Sequence, residues 1–232
     1  MIPLRDVHKP RRPPFLTRFL VATNIVVFIG QLLQWLVGGQ DDLMLTMSVR
    51  PVCYFSPSSC GINLPGEVDQ LWKPLLASMF LHAGILHLAF NMLFLMVFGA
   101  GVEDRLGRFK FLLLYAGCGL AAAIAHIVTH PGSDAPTIGA SGAIAGVLGA
   151  YLILLPRSWI LTYFPPIFLF PVPAPLFLAV WMASQVMSVF LHLPVLSSTS
   201  PESGVAWMAH IGGFAVGATI GWTIKPWWKR GR

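Results

Sequence analysis

Ser141 and His210 are the residues of this chain best suited by type and setting to covalent chemistry. Ser141 lies in Gly139-Ala140-Ser141-Gly142-Ala143, at the start of one apolar segment, and His210 lies in Ala209-His210-Ile211-Gly212-Gly213, within another. A serine hydroxyl is a weak nucleophile until a base takes its proton, and imidazole is the usual base. His87 and Asn91 are four residues apart, so on a helix they share one face and offer hydrogen-bond donors to a developing oxyanion. Each feature also has a packing reading. A glycine-flanked serine lets helices approach closely, and a His-Asn pair can bridge two helices.

The elements that carry these residues follow from composition. The chain of 232 residues is 56% hydrophobic and 10% charged, against about 25% charged in a soluble domain. Its mean hydropathy of +0.72 reads as a polytopic membrane protein. Six apolar stretches are legible: Leu16–Val37, Leu81–Gly101, Phe109–Thr129, Ile138–Leu155, Val172–Leu191 and Val205–Ile224. Helices are the expected spanning form, because backbone groups must be satisfied within lipid. The fold class expected is therefore all-α, a six-helix membrane bundle. The fourth stretch is near the lower length limit, so thinned bilayer or a sunken helix start is expected there.

The net charge of +6 does not imply nucleic acid, because the basic residues fall between spans instead of on one face. One side holds Arg5, Lys9, Arg11, Arg12, Arg18, Arg105, Arg108, Lys110, Arg157, Lys225, Lys229, Arg230 and Arg232, which are 13 of the 15 basic residues. The other side holds Arg50 and Lys73 with six of the nine acids: Asp41, Asp42, Glu67, Asp69, Asp134 and Glu202. The positive-inside rule puts both termini in the cytoplasm, in agreement with an even number of spans. The basic start and long first apolar run read as an uncleaved first helix. The expected organisation is a basic cytoplasmic segment over 1–15, a membrane domain over 16–224 with an external loop at about 38–80, and a basic tail over 225–232. The connection Pro156–Pro171, with Pro165-Pro166 and many aromatics, is expected to form a cytoplasmic interfacial turn.

Cys118 lies in the third span, where a small packing residue is expected. Cys53 and Cys60 lie in the external loop; pairing and two free thiols are both open readings.

Depth brings the polar residues together only loosely. At about 1.5 Å per residue, Ser141 lies roughly 5 Å below the external surface, His210 roughly 8 Å, and His87 and Asn91 roughly 9 and 15 Å. His126 lies at a similar depth, so depth alone leaves two candidate bases. The neighbourhood favours His210. Small residues at 209, 213 and 217 form one stripe and Gly142, Gly146 and Ala150 another, and two such faces let helices meet closely. His126 and His130, four apart, are the best candidates for a shared metal ion, but no intramembrane Asp or Glu accompanies them as a proton relay.

Taken in order, the motifs resemble the rhomboid family of intramembrane serine proteases. They are His82 with His87-Leu88-Ala89-Phe90-Asn91, Glu103-Asp104-Arg105-Leu106-Gly107, Gly139-Ala140-Ser141-Gly142 and Ala209-His210-Ile211-Gly212-Gly213. Each falls in the expected span, and the resemblance runs from about Phe15 to Trp222 in the compact six-helix form. It implies a Ser-His dyad without a third acid, and it selects His210 over His126. Ser141 is then the nucleophile and His210 the general base and acid. His87, Asn91 and the Ser141 backbone N–H are the oxyanion donors. Gly139 and Gly142 permit the tight turn and close substrate approach, with Gly213 in the facing histidine motif. The resemblance makes Glu103 and Arg105 structural and makes the fifth span a lateral gate with Trp181 at it.

The function expected is an intramembrane serine endopeptidase. It would cut transmembrane segments of membrane proteins near the external face, needing no cofactor or metal. Its partners would be transmembrane substrates and the lipid bilayer, not nucleic acid, and its location a bacterial inner membrane. The alternative is a catalytically inactive rhomboid-like protein that binds membrane helices. Retention of Ser141, His210, His87 and Asn91 argues against it, since a binder has no need of all four.

Overall fold

The computed structural model describes residues 1–7, 10–38, 42–62, 70–191 and 206–230. Lys9, Asp41, Glu67, Asp69, His192, Glu202 and Arg232 lie outside the described residues, as does part of each expected terminal segment.

The architecture is a helical bundle with a small sheet at one end. Its main helices are α1 (Phe15–Gly38), α5 (Ile85–Leu106), α6 (Arg108–Thr129), α7 (Ser141–Leu154), α8 (Ala174–Leu191) and α9 (Trp207–Arg230). Three short helices, α2 (Asp42–Met47), α3 (Pro51–Phe55) and α4 (Trp72–Ala77), lie in the first loop. Among the described residues, α1, α5, α6 and α8 are long and apolar enough to cross a membrane. The 14-residue α7 is apolar but shorter than the roughly 20 residues that a straight crossing needs. Helix α9 is long but carries four glycines, His210 and a basic end at Lys225, Lys229 and Arg230, so its apolar signal is weaker than that of its neighbours.

Helix α7 is the axle of the bundle. Ten consecutive residues from Gly142 to Tyr151 are buried, because α6 and α9 both pack against α7 and against each other. Glycine makes this possible. A Cβ on Gly149 or Gly217 would overlap backbone atoms of the facing helix, and one on Gly146 would overlap the Cys118 side chain. Here α7 and α9 pack backbone to backbone, as small-residue membrane interfaces do.

Helix α1 begins after Pro13-Pro14, and its first N–H groups have no partners within the helix. The Glu103 carboxylate on α5 supplies them. It accepts from the Leu16 N–H at 2.9 Å, the Thr17 N–H at 2.8 Å and the Thr17 hydroxyl at 2.7 Å. A buried carboxylate at a positive helix end is favoured by the helix dipole as well. Arg105 lies half-buried in the last turn of α5. The central stretch of α5, Leu95–Gly99, is a π-helix, and its residues Leu95 and Phe98 are fully buried.

The expected interfacial turn over Pro156–Pro171 is instead a hairpin, β2 (Trp159–Phe164) and β3 (Phe168–Pro173). It is joined by β1 (Ile2–Asp6) from the N-terminal segment, giving an antiparallel sheet in the order β1-β2-β3. The register pairs Asp6 with Ile160 and Ile160 with Val172. Ile160 and Val172 are buried, while Ile167, Phe168, Leu169 and Phe170 are exposed. The Tyr151 hydroxyl donates to the Asp6 carboxylate, so the sheet is tied to the end of α7 opposite Ser141. The proline-rich composition concealed these strands, since proline cannot donate to a ladder and is tolerated mainly at edges.

In the first loop, Cys53 and Cys60 are disulfide-bonded. The loop is fastened to the segment before α7 by a bridge between Val49 and Thr137, with N···O distances of 3.0 and 2.8 Å, and by an ion pair between Arg50 and Asp134.

Candidate active site

Ser141 is the first residue of α7, and the chain reaches it through Gly139 at φ +124°. That backbone region is open to glycine and strained for other residues. The Gly139 N–H donates to the Ser78 carbonyl at 2.8 Å, which fixes the turn to the end of the first loop. The turn also lies against His87. A Cβ on Gly139 would sit 2.8 Å from His87 Nε2 and Cε1, and 3.7 Å from Asn91 Nδ2.

His210 lies one turn into α9. Ser141 Oγ and His210 Nε2 are 2.8 Å apart, within hydrogen-bonding distance. The helix contact that creates this pair is built from glycine. Gly142 faces Ala122, where a Cβ would approach the alanine methyl to 2.6 Å, and Gly213 faces the Gly142 carbonyl. A larger residue at either position would push α7 away from its neighbours and open the Ser141–His210 distance.

His126 is buried beside this site but makes a different bond. Its Nε2 lies 2.9 Å from Thr137 Oγ1, and its ring lies tilted beside that of His130, 4.8 Å between centroids. Of the two candidate bases at similar depth, only His210 meets Ser141. Among the described residues, no group of three or more His, Cys, Asp or Glu side chains converges as a metal site would require.

His87 and Asn91 share one face of α5 and both line the cavity that holds Ser141. His87 Nδ1 accepts from the Ala83 N–H at 3.4 Å. Asn91 is 7% exposed, and among the described residues its Nδ2 has no hydrogen-bond partner. A buried donor without a partner costs about 1–3 kcal/mol, so an oxyanion or a water in the cavity would relieve it. His82, fully buried, sits edge-on to His87 with centroids 5.1 Å apart. Its loop is clamped to α1 by Gln31, whose Oε1 accepts from the His82 N–H at 3.0 Å.

The cavity has a volume of about 540 Å³ and its surface is mainly apolar, with polar groups at Ser141, His210, His87 and Asn91. The N-terminus of α7 points its free N–H groups into this region, which favours negative charge there. Trp181 of α8 lines the cavity too, with its ring 6.0 Å from that of His210 and 6.2 Å from that of Phe214. Trp181 is thus packed beside His210.

Two polar neighbours were not assigned to the site on sequence. Thr137 holds His126, and Gln185 of α8 places Oε1 2.7 Å from His210 Nδ1. A lone amide in an apolar span is the signal that marks Gln185, since polar groups in membrane helices are costly and seek partners.

The rhomboid domain model matches residues 68–227. The chain is 48% identical over 139 residues to the rhomboid protease GluP of Bacillus subtilis, covering 60% of this chain and 24% of that protein. It is 37% identical over 113 residues to the rhomboid protein YdcA of the same organism, covering 49% of this chain and 56% of that one. With the rhomboid protease AarA of Providencia stuartii it shares 30% identity over 220 residues, covering 88% of this chain and 70% of that protein. The chain therefore spans little more than half of YdcA and about a quarter of GluP.

Proposed function

The chain belongs to the rhomboid family, and from that premise we propose that it is an intramembrane serine endopeptidase cleaving transmembrane segments near the external face. The single observation that carries this reading is the 2.8 Å approach of Ser141 Oγ to His210 Nε2 inside a largely apolar cavity.

In this mechanism Ser141 Oγ attacks the scissile carbonyl carbon while His210 Nε2 takes its proton. The carbonyl oxygen becomes an oxyanion. Asn91 Nδ2, the His87 ring N–H and the Ser141 backbone N–H supply its hydrogen bonds. When the intermediate collapses, His210 returns the proton to the leaving amine and an acyl-enzyme results. A water then repeats the sequence, giving its proton to His210 and releasing the new carboxylate. The substrate must unwind locally, because a peptide bond inside a helix is shielded by its own turn. Gly139 lets the turn before Ser141 lie against His87, and Gly142 lets α7 close on Ala122 of α6, so both glycines fix the position of Ser141.

The basic loops support a placement with both termini cytoplasmic, the site opening toward the external leaflet, in a bacterial inner membrane. The 16–224 segment is then the membrane domain, with basic segments on either side.

Wild type and Ser141→Ala should be compared in liposomes holding a single-span substrate. Cleavage by the wild type and none by the variant is the expected result. Equal cleavage by both would remove Ser141 from the mechanism. A wild type that binds the substrate helix without cutting it would instead favour the inactive helix-binding reading.

A further inference from the structure

We propose that Gln185 of α8 sets the tautomer of His210, so that the base is armed only while α8 is seated against α9; this rests on the Ser141–His210 reading. The argument is one of hydrogen-bond polarity along a continuous chain. It starts at the Trp181 carbonyl, which can only accept. Ser184 Oγ donates to that carbonyl at 2.6 Å, so its one proton is committed. The same oxygen can then only accept from Gln185 Nε2, which lies 3.0 Å away. Gln185 Nε2 also faces the Trp181 carbonyl at 3.5 Å. Both contacts require the amide nitrogen on this side of Gln185, and so they turn Oε1 toward α9.

Oε1 lies 2.7 Å from His210 Nδ1 and can only accept. His210 must therefore carry its proton on Nδ1. That leaves the Nε2 lone pair facing Ser141 Oγ at 2.8 Å, the tautomer a general base needs. Reversing the amide would set its oxygen against the Trp181 carbonyl and would force the Nε2–H tautomer. The chain from Trp181 to Ser141 thus has one favourable direction, fixed by a backbone carbonyl within α8.

The same bond couples the base to the position of α8. That helix is buried only in its first turn, at Ala174, Phe177 and Leu178. The rest of it meets the bundle along one side, with Trp181 against His210 and Phe214. Outward movement of α8 would break the Gln185–His210 bond, leaving His210 free to adopt either tautomer. A return of α8 after a substrate has entered would restore it. Gln185 is a positioning residue in this scheme, since it reaches the reacting atoms only through His210.

Two measurements test it. The first needs no activity: nitrogen-15 spectra of histidine-labelled full-length protein in micelles, with the His210 signals identified by their loss in His210→Gln. Neutral His210 protonated at Nδ1 is expected in wild type, and a tautomer mixture in Gln185→Leu. An Nε2-protonated wild type, or an unchanged Nδ1–H form in Gln185→Leu, overturns the proposal. The second is the rate of Ser141 labelling by a fluorophosphonate. Gln185→Leu keeps the volume and should slow labelling about 10- to 100-fold, the range typical of a lost orienting partner. Gln185→Glu should restore the rate and move the acid limb of its pH profile upward, because a carboxylate also accepts from Nδ1–H and stabilises the imidazolium. A purely structural glutamine would give equal losses in both variants and no shift of the limb. A wild type that never labels would count against the protease reading, while the spectra still decide the role of Gln185.

Discussion

Gly217 of α9 lies directly on the backbone carbonyl of Gly146 in α7, so closely that a methyl group on Gly217 would overlap the oxygen. Neither atom belongs to a flexible side chain, so the two helices themselves would have to separate. Gly217→Ala should therefore cost about 1–3 kcal/mol, the usual range for overpacking, read as a lower unfolding temperature in micelles. Gly117 of α6 is the control, because a Cβ there meets nothing within 4 Å. Gly117→Ala should be neutral or stabilising by up to about 1 kcal/mol. Equal effects at the two glycines would mean that the α7–α9 contact does not limit stability.

Asn91 Nδ2 is a buried donor facing the cavity without a partner among the described residues. If it serves the oxyanion, Asn91→Ala should lower kcat by about 10²- to 10³-fold with little change in KM. Steady-state cleavage of a transmembrane substrate in liposomes distinguishes this from a binding role, which would raise KM instead.

His126 and His210 provide a matched pair. If His210 is the base, His210→Ala should reduce cleavage to the level of Ser141→Ala, since members of a catalytic unit fail together. His126→Ala breaks the bond to Thr137 but leaves Ser141 and His210 in contact. It should keep activity within about tenfold of wild type while lowering stability by about 1 kcal/mol, the net worth of a typical hydrogen bond. Loss of all cleavage in His126→Ala with an intact fold would reopen the choice of base.

Glu103 satisfies three donors at the start of α1 while being 4% exposed. Glu103→Gln turns one acceptor oxygen into a donor that opposes an N–H. The cost should be about 1–3 kcal/mol, as for buried groups left unpaired. Faster hydrogen exchange at Leu16 and Thr17 would locate the loss at the helix start. Unchanged exchange there would show that another group caps α1.

By itself, the amino-acid sequence determined the membrane class, the approximate spans and the small-residue stripes. Those properties depend on composition and on the helical repeat, which are local. The Gly-Ala-Ser-Gly and Ala-His-Ile-Gly-Gly motifs also singled out Ser141 and His210 as a pair worth testing. Depth along a span is a single coordinate, however, and it left His126 and His210 equivalent. The motif resemblance favours His210; only the tertiary packing shows which of the two histidines reaches Ser141. The glycines of α7 and α9 bring two backbones together at one azimuth, which directs His210 to Ser141 and leaves His126 with Thr137. The same applies to Gln185, whose partner lies 25 residues away on another helix, and to Glu103, which reaches α1 across 86 residues. The sheet was hidden for a related reason. Its pairing joins Ile2–Asp6 to a hairpin more than 150 residues later, and no local pattern in a proline-rich segment specifies a partner that distant.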